Sequence, residues 1–188
     1  MASISAVSIC NVALAQLGAN PIHSLQDAQT EAVLCSTFYP QARTYCLSRH
    51  PWNFAIKRIE LPADADIPLF QFKRQYTLPA DCLRILTVDG DSFYKAEGRK
   101  LLSHRESCFL KYVADTEDTS LWSQGFIDYL TAKLRAQLAY PVTRDAGQVT
   151  VAEQLLVLAF TAAKGVDASE DFADDFGQFD NSFVNVRV

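Results

Sequence analysis

The chain has 188 residues, 49% hydrophobic and 21% charged, with a formal net charge of −5. Those values exclude a disordered, collagen-like or disulfide-scaffold protein and fit one globular core able to fold without staples. The charge is unevenly placed: residues 167–188 carry six carboxylates against Arg187 alone, and the 16 basic and 16 acidic residues before them cancel. A neutral body with an acidic tail lacks the basic footprint of a general nucleic-acid binder. No uninterrupted apolar run approaches the length that crosses a bilayer. The start, Met1-Ala2-Ser3-Ile4-Ser5, has no basic residue and no signal-type apolar stretch. The expectation is a protein made and assembled in a cytoplasm, with no membrane partner.

The spacing predicts a first helix over 3–17, with Ile4, Val7, Cys10, Leu14 and Leu17 on one stripe and Gly18 stopping it. Asn20-Pro21 makes a turn. A second helix is predicted from about Gln29 to Arg49, buried along Cys35, Phe38, Tyr39, Ala42, Tyr45 and Cys46, with Pro40 kinking or breaking it near Tyr39. The two helices are expected to pack antiparallel. Pro51 then excludes helix at His50, and Trp52 and Phe54 open a strand-like alternation.

Short strands are predicted from Trp52 to Ala114: Phe70–Phe72, Tyr76–Leu78, Leu83–Val88, Phe93-Tyr94, Leu101-Leu102 and Cys108–Val113. Ala63–Pro68 reads as an exposed loop, and Asp89-Gly90-Asp91 and Glu97-Gly98-Arg99 as hairpin turns. Helical spacing returns after Ser120, a candidate N-cap, with Ile127, Leu130, Leu134 and Leu138 inward and Pro141 as its end. A fourth helix, capped by Asp145, runs to about Lys164 with Val149, Ala152, Leu156, Ala159 and Ala163 inward. The fold class is α+β: a small bundle of about four helices (3–50 and 120–165) bracketing an antiparallel β-rich subdomain (52–114). Residues 1–166 form one domain, and 167–188 form an extended acidic, Phe-bearing tail.

Catalytic chemistry has no foothold. The seven glycines make no phosphate-cradling loop, and no GxSxG or HExxH occurs. His23, His50 and His104 lie far apart in sequence, and His50 reads as a helix-end residue favoured by the dipole. Five cysteines (10, 35, 46, 82 and 108) form no CxxC pair; Cys10, Cys35 and Cys46 read as small hydrophobes on apolar stripes. Asp64/Asp66 and Asp89/Asp91 sit where turns favour Asp for backbone reasons. No enzyme activity, cofactor or metal is expected. One binding alternative stands: a single-stranded nucleic-acid module stacking bases on Phe54, Phe70, Phe72 and Tyr76 beside Lys57-Arg58 and Lys73-Arg74. Strand alternation, with aromatics inward and cations outward, competes with it.

Four pieces occur in order: Ile9-Cys10-Asn11, Leu17-Gly18-Ala19-Asn20-Pro21-Ile22, His50-Pro51-Trp52-Asn53-Phe54-Ala55 and Leu78-Pro79-Ala80-Asp81-Cys82-Leu83-Arg84. Together they resemble the phage head-to-tail adaptor proteins, also called podovirus tail tubular protein A, over about residues 5–140. The resemblance implies a structural virion protein forming a homo-oligomeric ring, a dodecamer, beneath the portal protein. It implies a second partner, the tail nozzle or tail tube protein, and a channel passing genomic DNA without sequence-specific binding. The helical bundle would make lateral ring contacts and the β subdomain would face the tail.

The tail supplies the docking candidates: Phe172, Phe176, Phe179 and Phe183, then the alternating Val184, Val186 and Val188. Burying four Phe rings returns less free energy than ordering the whole segment costs. The tail is therefore expected to order only on a portal or neighbouring subunit. Fully extended, it reaches roughly 70 Å.

Overall fold

The computed structural model describes residues 4–89 and 93–170. Four helices bracket six strands, as the α+β reading requires: α1 (Ala6–Ala15), α2 (Thr30–Arg49), β1 (Ile56–Leu61), β2 (Arg74–Thr77), β3 (Cys82–Asp89), β4 (Lys95–Glu97), β5 (Lys100–Ser103), β6 (Cys108–Ala114), α3 (Gln124–Thr143) and α4 (Ala146–Glu170). The strands form two antiparallel sheets, ordered β1-β6-β3 and β2-β5-β4.

Local chemistry sets the helix ends. Ser5 and Ser8 cap α1 reciprocally, each backbone N–H donating to the other's hydroxyl (2.9 and 3.1 Å). Gly18, at φ +72°, closes that helix in a left-handed turn as the Ala19 N–H reaches back to the Leu14 carbonyl at 3.0 Å. Asn11 then clamps the Ile22 backbone with both atoms of its amide, at 2.8 and 2.9 Å. The loop after α1 is thereby pinned to the helix it leaves.

Four sequence expectations shift. Pro40 does not break α2, which runs unbroken through it to Arg49; packing of Cys35, Tyr39, Ala42 and Cys46 against the core outweighs one lost backbone bond. Likewise Pro141 lies in the last turn of α3, which ends two residues later beside Arg144 at φ +56°. Ser120 belongs to a short 3-10 turn, and Ser123 caps α3 instead, accepting from Phe126 N–H. Finally, α1 and α2 meet each other only sparsely, because both lie against α3, which also carries α4.

In the β region, Phe70–Phe72 is not a strand: Leu69 is 99% and Phe70 73% exposed, in an irregular loop. The alternation there has no facing strand to pair with. Phe93 is also exposed, ahead of β4 rather than within a strand. The Glu97-Gly98-Arg99 turn joins β4 to β5 with Gly98 at φ +58°. The Asp89-Gly90-Asp91 turn lies largely outside the described residues. Trp52 and Phe54 precede β1 on a 3-10 turn (Asn53–Ala55) rather than beginning it.

Two cores result, and β6 serves both. Val113 points into the helical core with Trp52, Phe126, Leu130 and Leu134, while Leu110, Tyr112 and Ala114 join Tyr76 and Leu101 in a second core shared by the two sheets. The Leu78–Arg84 segment stitches the sheets together. Arg99 donates to the carbonyls of Leu78, Pro79 and Cys82. Asp81 holds Lys57 of β1 at 2.8 Å and the Tyr112 hydroxyl of β6 at 3.1 Å. On β2, Thr77 shares Asp64 with Lys100 of β5.

Those two carboxylates are shifted the same way. The Lys100 ammonium holds Asp64 below the usual carboxylate range. Burial pushes Asp81 up, but Lys57 and the Tyr112 hydroxyl outweigh it and hold it low. Groups depressed in the fold bind protons more readily when unfolded, so their stabilisation is complete above about pH 4 and is lost as pH falls through their folded values. Acid titration followed by near-ultraviolet circular dichroism is expected to loosen the β region below about pH 4, and D64N with D81N to remove that acid step. Trp52 has no solvent exposure, so Trp52→Ala is expected to cost about 3–5 kcal/mol in thermal or urea unfolding; an unchanged midpoint would contradict its place in the core.

Candidate functional site

The docking candidates Phe172, Phe176, Phe179, Phe183, Val184, Val186 and Val188 lie outside the described residues. The boundary proposed for their segment moves. α4 continues past Lys164 to Glu170, and Asp167, expected in the acidic tail, is only 4% exposed.

Asp167 is held by the His50-Pro51-Trp52-Asn53 segment. His50 Nε2 lies 2.9 Å from Asp167 Oδ2, and the Asn53 N–H donates to Asp167 Oδ1 at 3.2 Å. The Asn53 side-chain amide donates to the Asp167 carbonyl at 2.9 Å, satisfying one of the carbonyls a helix end leaves unpaired. Between these bonds, the Trp52 indole donates to the Cys46 carbonyl at 2.9 Å. Its ring meets Phe126 edge-on with centroids 5.2 Å apart. Pro51 breaks α2 so that the chain can turn its next residues onto α4. The segment is thus a clasp between α2 and α4: His50 sits at the C-terminal end of α2, as expected, and the Asp167 carboxylate orients its ring.

The thiols take no part in an exposed site. All five cysteines are free and buried. Contact with the Cys35 thiol, together with burial, raises Cys10, and burial pushes Cys46 up to about 12. Kept neutral in this way, the Cys10 and Cys46 thiols are poor nucleophiles and poor ligands. Among the described residues, no three His, Cys, Asp or Glu side chains gather as a metal site.

What the surface does carry is exposed apolar area. Of the expected inner stripe of α4, Ala152 and Ala163 are buried and Leu156 packs on the helical core, while Val149 and Ala159 are only half-buried; Phe160, not expected there, also packs on that core. Gly125 lets α3 and α4 touch, since an added Cβ would sit 3.2 Å from Ala163 Cα. Yet α4 has a second, outward set: Val151, Leu155, Val157, Leu158 and Val166, with Val157 and Leu158 each 65% exposed. By length and composition this helix alone among those described could cross a membrane. Beside it, α1, α3 and α4 enclose a groove of about 730 Å³, lined by Ile9, Val12, Ile127, Leu155, Leu158 and Ala162. Exposed apolar side chains also occur in the β region, at Ile67, Leu69, Phe70 and Phe93.

Inward and outward apolar residues on α4 together exceed what one buried stripe needs, and that excess is the sequence signal for this surface. Asp167 also announced itself, four residues after Ala163 on the inward stripe. No family model matches the chain, and no curated protein matches it. The four motif pieces that carry the adaptor resemblance each have a structural task here: the Asn11 clamp, the Gly18 turn, the Trp52 clasp and the Asp81 stitch.

The clasp is expected to govern the end of α4. Asp167→Ala strands the His50 and Asn53 donors, at about 1–3 kcal/mol for each buried group left unpaired. Native-state hydrogen exchange is expected to show residues 163–170 opening first, with α3 unaffected; uniform protection would show that the clasp holds nothing.

Proposed function

We propose that the protein is a structural virion component, a head-to-tail adaptor. Its copies close into a dodecameric ring between the portal protein and a tail nozzle or tail tube protein. The observation that carries this reading is exposed apolar area at two places on a body with no cluster of metal-ligating side chains among its described residues. One lies along α4 and its groove, and the other on the loops bearing Leu69, Phe70 and Phe93. Isolated monomers seldom leave so much contiguous apolar area in water, whereas assembly units bury it at contacts. The ordered motif pieces support the same reading, because they are the residues that fix the bundle and join it to the sheets. In this assignment the bundle makes lateral contacts and the β region meets the next component along the axis. The chain works in the neck of the virion, without catalysis or cofactor, and DNA passes through the ring without base readout.

One observation favours a second reading, single-stranded nucleic-acid binding. In the β1–β6 register Arg58 stands opposite Lys111, and Phe109 is half-exposed two residues away on the same face. A basic-aromatic face of that kind suits base stacking along a phosphate backbone. Other expected stacking residues do not contribute to it: Tyr76 is fully buried and Phe54 packs between Trp52 and Phe126.

Mass measurement of the purified chain, alone and mixed with the portal protein of its particle, separates the readings. A ring appearing on the portal is the expected result, and cryo-electron microscopy of the particle should place it at the neck. Absence of the chain from the particle, together with oligonucleotide binding that weakens steeply with salt, would replace the adaptor by the second reading.

A further inference from the structure

The groove between α1, α3 and α4 has a floor and walls but no described segment covering it. Its lining runs along α3 from Gln124 to Arg135, with Ile127 and Ala132 the apolar members, a rise of about 16 Å over eleven helical residues. Both faces that border it bear exposed side chains, Val12 from α1 and Leu158 from α4, at 50% and 65%. At one end, the Arg135 Nε is buried with no hydrogen-bond partner. The groove's carboxylate, Asp128, is already engaged by the Gln124 side chain at 2.8 Å.

The sequence beyond Glu170 holds a match. Phe172, Phe176, Phe179 and Phe183 are spaced by four, three and four residues, so on a helix they would share one stripe. Eleven residues separate the first from the last, again about 16 Å of helical rise. Asp171, Asp174, Asp175 and Asp180 fall off that stripe, where an acid can face Arg135. Anchors at such spacing laid in an apolar groove are a recurring mode of helix recognition.

Chain length keeps Phe172 from seating in the chain's own groove. Ala162, the α4 residue of the groove nearest the tail, lies eight residues before Glu170, about 12 Å back along the helix. Phe172 is only two residues beyond Glu170, a reach of about 7 Å at full extension. The four-ring stripe cannot start from Glu170 and lie beside its own α4.

We propose that the groove of each copy receives the Phe stripe of residues 171–188 from a neighbouring copy. This deepens the ring reading above and rests on it. It assigns the tail's docking site to the adjacent adaptor subunit and names the residues of the seat. The Asp167 clasp has a role in it, since holding α4 wound to its end directs the tail outward.

The test uses full-length chains and one labelled peptide. A tail-silent chain carries Phe172→Ser, Phe176→Ser, Phe179→Ser and Phe183→Ser. A groove-blocked chain carries Leu158→Glu, at an exposed position that leaves the core intact. A fluorescein-labelled peptide of residues 171–188 is expected to bind the tail-silent chain saturably in anisotropy titrations. Adding Leu158→Glu to that chain is expected to weaken binding at least about tenfold, the loss of one well-buried apolar contact. In sedimentation velocity each variant alone is expected to stay monomeric, while their mixture forms heterodimers, one intact groove taking one intact tail. Saturable binding that Leu158→Glu leaves unchanged, or no binding, overturns the proposal. So does a wild-type chain that excludes the peptide while remaining monomeric at every concentration, because its own tail then fills the groove. A ring seen in the particle with this groove empty also removes it and leaves the adaptor reading standing. Groove-dependent peptide binding by a chain absent from any particle neck removes the adaptor reading alone.

Discussion

Burial of the Trp52 indole, with its one polar atom satisfied by the Cys46 carbonyl, is the constraint on which the rest of the architecture hangs. An aromatic of this size is stabilising only if every side of it is covered and its N–H is paired. Here the cover comes from His50, Phe54, Phe126 and Tyr129, which belong to the end of α2, the turn into β1, and α3. Packing around one ring therefore fixes where the bundle hands the chain to the sheets. The flanking polar residues extend that control to α4, since His50 and Asn53 both reach Asp167. Polar groups buried around a large aromatic have few alternative partners, and this makes the joint specific as well as stable.

The β region is built as an attachment rather than an independent body. Strand β6 divides its residues between two cores, Val113 toward the helices and Leu110 and Tyr112 toward the second sheet. Period-two alternation makes that division unavoidable once both faces are covered. The second sheet is short-stranded and is tied to the first by Asp81, Arg99 and the Asp64–Lys100 pair. Exposed ion pairs contribute little on their own. Their value here is positional: Arg99, on the β4–β5 turn, bonds the Cys82 carbonyl of β3, and Lys100 of β5 holds Asp64 in the loop after β1. A lobe joined in this way can project hydrophobic loops without endangering the helical core, which suits a unit that meets different neighbours at its two ends.

Helix α4 carries apolar residues on two faces. Its inner stripe, small residues with Leu156 and Phe160, lets it lie close against α3 where Gly125 meets Ala163. Its outer residues add nothing to the fold of one copy. Along a well-anchored helix the backbone is already ordered, so a partner arriving there restricts side-chain rotamers but has no backbone left to order.

Periodicity and turn chemistry were enough to place four helices around a β-rich middle, to put Ala152, Leu156 and Ala163 on the inward side of α4 and to find the caps at Gly18 and Asp145. These are decided locally, by 3.6-residue spacing and by residues that tolerate left-handed backbone or accept from free N–H groups. Tertiary structure alone decided that Pro40 stays within a helix, because burial on both sides of it offsets the missing bond. It alone made Phe70 a loop residue, since a strand exists only where another strand pairs with it. And it alone supplied the partners of Asp167, His50 and Asn53, more than a hundred positions earlier. No local pattern encodes such a separation.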